Sequence, residues 1–232
     1  MSDSKYLVLK LEGDFQSYGL SDSKYYRRGT DTHPSKSAIV GLILSALGDY
    51  NPNAETIDLL TKPYSMTVFC YKKKGARIET DFQMMGAAHD GPGWDKMFCL
   101  VDSSGKKAVS PSKISKRDYL VGNIFKVILK LDDAVFAEQV ANSLKDPKGF
   151  LYLGRKAFLP SSPIFCSLCN SLKEAEDLKV TDLKLCFTVF DGSYPEKGSP
   201  QFVEDVPAPK TYLPKTYLGR YTTKSKVLSI ET

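Results

Sequence analysis

A helix that is apolar on nearly every side constrains this chain more than any other feature of its sequence. The helix is predicted to begin after Pro34 and Ser35, where the serine hydroxyl caps it, and to run to Leu47, where Gly48 ends it. Such a helix must be buried on more than one side, so we expect it to lie between a sheet and another element. Its apolar residues are Ile39, Val40, Leu42, Ile43, Leu44, Ala46 and Leu47.

The patterns on either side of this helix predict a split βαβ arrangement. Residues 6–11 alternate like a half-buried strand, residues 64–71 form a β-rich run, and residues 119–131 are typical of a further strand. A hairpin turn is expected at 72–75, and a second amphipathic helix at about 133–144. Strand, helix, strand, strand, helix, strand is the order of the ferredoxin-like, or βαββαβ, fold, so the sequence predicts an α+β domain of this type.

Two regions are predicted as additions to this domain. The ferredoxin-like unit is expected to span residues 1–158, and a Gly-, Ser- and Lys-rich arm at about 83–115 is expected to protrude from it as a β-hairpin thumb. Residues 159–232 are expected to form a small β-rich C-terminal unit, with strands near 183–190 and 216–221.

The composition is typical of a soluble globular protein. Of the 232 residues 42% are hydrophobic, enough for a core, and no run approaches the ~20 apolar residues that span a bilayer. The five cysteines, an odd number, do not indicate a disulfide framework, so we expect a reducing, cytoplasmic compartment. The pair Cys166 and Cys169 lacks the further ligands that zinc requires, and we therefore expect neither a metal nor another cofactor.

The net charge is concentrated in one segment. The chain carries a formal charge of +5, and residues 101–130 contain seven basic and two acidic residues, so the remainder is balanced. A local excess of this kind suits a polyanion, because neutralised phosphates release counterions. A solvated, lysine-rich hairpin accounts for the charge equally well.

The motifs of common enzymes are absent. The sequence has no phosphate-binding loop, no nucleophile elbow, no zinc-protease motif and no clear dinucleotide fingerprint. With only His33 and His89 present, a catalytic triad has few candidates. A metal-independent ribonuclease remains an alternative, in which His33 or Tyr26 helps to deprotonate a ribose hydroxyl.

Two clusters of basic and aromatic residues favour RNA binding instead. Residues 25–37 combine tyrosines, arginines and hydroxyls directly before the N-terminus of the apolar helix, and residues 152–156 (YLGRK) form a second cluster. Unstacked bases of single-stranded RNA lie on aromatic rings while their phosphates meet cations. The free N–H groups of a helix N-terminus also suit a phosphate.

Four ordered segments resemble one known family. Residues 7–13 (LVLKLEG) with 16–19 (QSYG), the helix entry 32–48, residues 117–120 (RDYL) and residues 152–156 resemble motifs of the CasD family, the fifth CRISPR-associated RAMP family. That family supplies a subunit of the type I-E CRISPR surveillance complex, Cascade.

The resemblance implies a ferredoxin-like (RRM-like, RAMP) palm with a thumb, and a non-catalytic role. Family members cap the 5′ handle of the CRISPR RNA and contact the backbone and large subunits, which links them indirectly to target DNA. In a related type I-C branch the protein cleaves the precursor RNA with a Tyr, a Lys and an adjacent His, whereas here Lys116 is followed by Arg117. The family's usual residues are replaced at Asp14, Tyr18 and Ala38, and the region after residue 170 matches no motif.

The sequence therefore predicts an RNA-binding assembly subunit, with a metal-independent endoribonuclease and a domain that binds small molecules or proteins as alternatives. Trp94 is expected either to anchor a partner subunit or to pack the arm onto the palm. The expected RNA-binding residues are Arg27, Arg28, His33, Ser35, Lys36, Ser37, Lys113, Lys116, Arg117, Arg155 and Lys156.

Overall fold

The computed structural model describes residues 4–19, 27–85, 113–207 and 217–226 of the chain. These residues form nine strands and four helices, and none of these helices is long and apolar enough to cross a membrane. The elements are β1 (Lys5–Glu12), β2 (Phe15–Gln16), β3 (Arg27–Arg28), α1 (Lys36–Leu47), α2 (Ala54–Thr61), β4 (Met66–Met85), β5 (Lys113–Leu131), α3 (Ala134–Lys145), β6 (Phe165–Cys169), α4 (Leu172–Asp177), β7 (Leu185–Asp191), β8 (Ser199–Pro207) and β9 (Tyr217–Lys226).

All strands of the described residues join one sheet. The order along it is β6-β1-β5-β4-β7-β9-β8, and β2 and β3 pair with β5 beside this path. Neighbouring strands are antiparallel except β3 and β5, which are parallel. The predicted mixture of helices with a mostly antiparallel sheet is thus confirmed at the level of fold class.

The apolar helix has the predicted bounds and is buried as expected. The Ser35 hydroxyl accepts a hydrogen bond from the Ala38 N–H at the start of α1, and Gly48, with φ of 71°, ends the helix in the left-handed conformation that glycine adopts readily. The main core lies between α1, α2, α3 and one face of the sheet, and its members include Leu9, Ile39, Ile43, Leu60, Val68, Phe125, Val127, Val140 and Leu153.

The prediction of a hairpin turn at 72–75 is wrong, because β4 continues through this segment. The pairing of β4 with β5 shifts between Lys72 and Arg77, and the irregularity contains Gly75 at φ 82° opposite Gly122 at φ 74°. The extra residues are therefore absorbed as a bulge. Beyond it, β4 and β5 stay paired out to Met85 and Lys113. Most of the expected thumb, with Trp94, lies outside the described residues.

The sheet runs across the expected boundary at residue 158. β6 pairs with β1, and β7 pairs with β4 and then with β9, so the C-terminal strands extend the sheet of the N-terminal ones. No strand forms between α3 and Phe165, and β6 takes the place beside β1. Strands β2, β3, β6 and β8 and helix α4 were not predicted from the sequence.

The four cysteines among the described residues are free, and Cys99 lies outside them. Burial raises the pKa of the Cys70 thiol to about 11, and it also raises the pKa of Cys166. Within the described ranges, acidic, histidine and cysteine side chains form no group that could hold a metal ion.

Candidate nucleic-acid interface

Five of the predicted basic residues, from three separate segments, converge beside β5. The short strand β3 places Arg27 opposite Lys116 and Arg28 opposite Arg117. Arg155 reaches the same place from the loop before β6, where its guanidinium lies 3.5 Å from the Arg28 carbonyl oxygen. We call these five residues the basic cluster; within it Arg28 and Arg117 act on the charge of Arg155, whereas Arg27 lies beside Asp118.

Arg155 is held between the backbone of β5 and an aromatic ring. Its Nη2 donates a hydrogen bond of 3.2 Å to the carbonyl oxygen of Asp118, and its guanidinium carbon lies 5.6 Å from the centre of the Phe158 ring. Burial lowers the pKa of Arg155, and the positive charges of Arg117 and Arg28 lower it further. A group with so high an ordinary pKa stays protonated, so the cluster holds like charges together. A polyanion would relieve their repulsion.

Two acids partly offset this charge: Asp118, and Asp81, which lies opposite Arg117 in the pairing of β4 with β5. Asp118 directly follows Arg117 on β5, and its Oδ2 is 3.5 Å from Arg27 Nη2. Its other oxygen accepts a 2.7 Å hydrogen bond from the Thr80 hydroxyl. Asp118 therefore positions Arg27 at the surface and leaves most of the positive charge uncompensated.

The Arg155 loop is fixed by a close approach of two backbones. Gly154 has φ of 89°, and a Cβ at this position would lie 1.6 Å from the Ser17 carbonyl oxygen. The Ser17 N–H donates to the Leu153 carbonyl at 3.0 Å, and the Leu153 N–H donates to Phe158 at 2.7 Å. Only glycine fits this contact, which sets the direction in which Arg155 leaves the backbone.

An aromatic cluster that the sequence analysis missed lies next to the arginines. The ring centroids of Phe15 and Tyr119 are 5.0 Å apart, and Phe158 lies 5.8 Å from Phe15 and 5.7 Å from Tyr119. Phe15 is 43% exposed although it is large and apolar. Exposed rings beside guanidinium groups suit the stacking of unpaired bases. The sequence carried little signal for this cluster, because Phe15 lies in a strand of two residues, too short to show a strand pattern.

The expectation that Lys36 presents its charge to a phosphate is wrong for this structure. Its side chain is fully buried, and Nζ donates to Asp191 Oδ2 at 2.6 Å and to the Lys62 carbonyl. Burial lowers the pKa of Lys36, and Asp191 opposes this shift. The helix N-terminus is occupied too, because the Lys36 N–H donates to Asp205 Oδ2 at 2.7 Å. Arg220 binds Asp205 through two nitrogens, at 2.6 and 2.8 Å.

The hydroxyls of this region have structural partners as well. Ser35 caps α1, and its Oγ lies 3.1 Å from Ser37 Oγ. His33 is only 8% exposed, and its Nδ1 lies 3.2 Å from Asp31 Oδ1. Burial alone would raise the pKa of Asp31, but His33 and nearby donors more than offset this, so the pKa is lowered.

The remaining predicted residues are dispersed. Lys156 is exposed next to Arg155, and Lys113 begins β5 at the far end of its pairing with β4. Lys126, which belongs to the positive segment, is buried and donates to the backbone carbonyls of Glu176 and Leu178. Lys130 lies 3.0 Å from Asp132.

Comparison with known proteins points to one family. A family model described as CRISPR-associated protein (Cas_Cas5) matches residues 6–223. Among solved structures, a chain of a "CRISPR RNA-guided surveillance complex" has a TM-score of 0.70 at 20% identity, covering 95% of this chain and 89% of that one. A "Crystal structure of Cas protein" has a TM-score of 0.61 at 25% identity, covering 95% and 94%. No curated protein matches.

Proposed function

The chain belongs to the CRISPR-associated Cas5 family, and from this premise we propose that it is a non-catalytic, RNA-binding subunit of a CRISPR effector complex. The finer assignment is the type I-E complex, Cascade, in the cytoplasm. There the protein caps the 5′ handle of the CRISPR RNA, contacts the backbone and large subunits, and meets target DNA only through the complex.

The observation that carries this proposal is the convergence of the basic cluster. Arg27 and Arg28, Lys116 and Arg117, and Arg155 are far apart in the sequence, yet strand pairing and one glycine-fixed loop bring them together. The exposed ring of Phe15, a member of the aromatic cluster, lies beside them. Cations for phosphates next to rings for bases make up the usual arrangement for a single strand.

The strand order supports a ferredoxin-like core for this subunit. The segment β6-β1-β5-β4 is antiparallel throughout, α1 follows β1, and α3 follows β5. This matches a split βαβ arrangement in which the second βαβ unit ends with β6. The extension of β4 and β5 beyond their contacts with β1 and β7 supports a thumb that starts at their far ends.

The alternative of a metal-independent ribonuclease is less well supported. Its best candidate, His33, is nearly buried and lies beside Asp31, where it is poorly placed to take a proton from a ribose hydroxyl. Incubation with labelled repeat RNA in EDTA is expected to leave the RNA intact. A defined cut that His33→Ala abolishes would replace the proposed function with the nuclease.

The proposal is tested by the salt dependence of RNA binding. For single-stranded RNA each lost phosphate contact should flatten the slope of log K against log salt by about 0.7. Arg28→Ala, Arg117→Ala and Arg155→Ala are each expected to do so and to weaken binding of all sequences.

Lys179→Ala is the matched control, because Lys179 is 71% exposed and pairs locally with Asp182. It is expected to leave both affinity and slope unchanged. If the control and the three arginine variants behave alike, the basic cluster is not the RNA-binding surface.

A further inference from the structure

A cavity lies among the C-terminal strands, between the end of α2, the end of β7 and strands β8 and β9. Its volume is about 580 Å³, which is within the range of pockets that hold ligands. No residue of the basic cluster is among the described residues that line it. We call it the tyrosine cavity, after the side chains of Tyr64 and Tyr221 in its wall.

The two tyrosine rings are exposed although they are large. Tyr64 is 68% exposed and Tyr221 is 54% exposed. They flank Gly192, whose N–H donates a 2.8 Å hydrogen bond to the Tyr221 carbonyl oxygen. A Cβ on Gly192 would lie 2.6 Å from the Tyr64 ring, so the glycine lets this ring lie on the backbone. Phe202 extends the row, because its exposed ring lies 5.5 Å from that of Tyr221 between centroids.

The backbone holds Tyr64 in an unfavourable conformation. Its φ is 56°, and no other non-glycine residue has a positive φ in the part of the chain that the structure describes. Bulky residues rarely adopt such angles, and strain of this kind is concentrated at functional sites. The core gains little from this ring, because most of it faces solvent. The strain therefore favours a ring that is positioned for binding.

The floor of the cavity offers hydrogen-bond donors and few acceptors. Arg220 lines the floor and uses three of its five N–H groups, all toward Asp205 and Asp191. Lys36, also in the floor, uses two of its three. The acceptors are mostly taken, because Asp191 already accepts three hydrogen bonds. A ligand that fits this floor presents oxygen acceptors.

The charges around the tyrosine cavity do not favour a polyanion. The two buried cations of the floor are balanced by the two buried acids that they contact. Lys62 lines the cavity but pairs with Asp132 at 3.0 Å, and Asp58 is an exposed acid in the wall. The rings here therefore lack the uncompensated cations that accompany those of the basic cluster, and an uncharged ligand suits them better.

We propose that the tyrosine cavity docks a proline-rich, extended segment of a partner protein. Proline carries a carbonyl acceptor but no N–H, so a run of prolines matches a floor that offers donors. Polyproline segments also dock in grooves that are lined by aromatic rings, and they lose little entropy because their helix is preformed. Prolines pack against Tyr64 and Tyr221 while a carbonyl oxygen accepts from Arg220. The cavity is separate from the basic cluster, so this docking does not depend on RNA binding.

The test is a titration of fluorescein-labelled decaproline with the full-length protein, measured by fluorescence anisotropy. A labelled glycine–serine peptide of the same length is the control peptide. We expect saturable binding of decaproline and about tenfold weaker binding of the control peptide. The absence of saturable decaproline binding, or equal binding of the two peptides, would overturn the proposal.

Two variants and a matched control locate the site. Tyr221→Ser and Tyr64→Gly are each expected to weaken decaproline binding about tenfold. Tyr64→Gly should keep the wild-type fold, because glycine adopts a positive φ without strain. Tyr50→Ser should bind as the wild type does, since Tyr50 is 73% exposed and does not line the cavity. Unchanged binding by both cavity variants would place the peptide elsewhere and overturn the assignment.

RNA titrations with the same variants separate this proposal from the proposed function. Both cavity variants are expected to keep the wild-type RNA affinity and the wild-type slope of log K against log salt. A loss of RNA affinity in both would assign the rings to bases and overturn the docking of a protein segment. If decaproline fails to bind while the arginine variants of the basic cluster still lose RNA affinity, the docking proposal fails and the proposed function stands.

Discussion

Replacing Lys36 by methionine tests whether this lysine supports the fold or binds RNA. Its ammonium is buried against Asp191, whose side chain is only 3% exposed. Lys36→Met keeps most of the volume and removes the charge, which leaves a buried carboxylate with fewer partners. Breaking a buried ion pair in this way typically costs about 3–5 kcal/mol of unfolding free energy.

The partners that remain place the expected loss at the lower end of that range. Asp191 still accepts hydrogen bonds from Arg220 at 2.9 Å and from the Ser65 N–H at 3.2 Å. The Lys62 carbonyl keeps the Ser65 hydroxyl as a donor. We therefore expect Lys36→Met to lower the free energy of unfolding by about 3 kcal/mol. For a chain of this length the melting temperature should fall by roughly 6–12 °C.

Urea denaturation followed by circular dichroism measures the loss, and RNA titration at several salt concentrations is the companion assay. The slope of log K against log salt should match that of the wild type under conditions where the variant is folded. The double variant Lys36→Met with Asp191→Leu should lose less stability than the two single changes together, because no buried charge is left unpaired. A loss of unfolding free energy below about 1 kcal/mol, together with a flatter slope of log K against log salt, would refute the reasoning and show that Lys36 binds RNA.

Three further predictions concern separate parts of the fold. Asp132→Asn should cost about 0.5–1 kcal/mol at pH 7, because Lys130 and Lys62 lower the pKa of this partly exposed carboxyl to about 2. This loss of stability should shrink as the pH falls from 4 towards 2, because the wild-type carboxyl is then protonated and no longer pairs with the two lysines. Urea titrations that give the same loss at pH 4 and at pH 2 would contradict the prediction. Gly154→Ala should destabilise the protein by roughly 2 kcal/mol or more and weaken RNA binding, since its Cβ meets Ser17; wild-type affinity would show that the contact is not required. Cys70 should resist iodoacetamide at pH 8 until the protein unfolds, because its pKa is about 11; rapid labelling of the native protein, seen by peptide mass spectrometry, would contradict the burial.

Local signals predicted helices α1 and α3 well. Helix α1 begins after Ser35 and ends before Gly48, as the sequence indicates. Asp133 caps α3 by accepting a hydrogen bond of 2.9 Å from the Phe136 N–H. These signals act within a few residues, so they can be read without knowledge of the fold. The lysine and glycine run at 72–75 led to the wrong prediction of a hairpin turn. A hairpin turn and a bulge use similar residues, and only the pairing of β4 with β5 decides between them.

The candidate site was predictable in its residue types but not in its assembly. The sequence singled out Arg28, Arg117 and Arg155 as RNA-binding candidates. Their convergence depends on the pairing of β3 with β5, and a strand of only two residues gives no sequence pattern from which that pairing could be predicted. Lys36 was assigned to RNA because its partner Asp191 lies 155 residues away. The charge of a side chain can be read from sequence, whereas the charges that surround it are set by tertiary contacts.

The ion network around α1 makes the N-terminal half of the protein dependent on residues that are synthesised much later, 155 and 169 positions after Lys36. Lys36 and the start of α1 are satisfied by Asp191 and Asp205, and Arg220 joins these two acids. A nascent chain that still lacks these strands exposes the Lys36 side chain and leaves the Lys36 N–H without its Asp205 partner, so only the local Ser35 cap holds the start of the helix. Truncation near residue 170 would therefore yield an incomplete sheet, and a reporter fused after such a stop should be degraded or retained by chaperones.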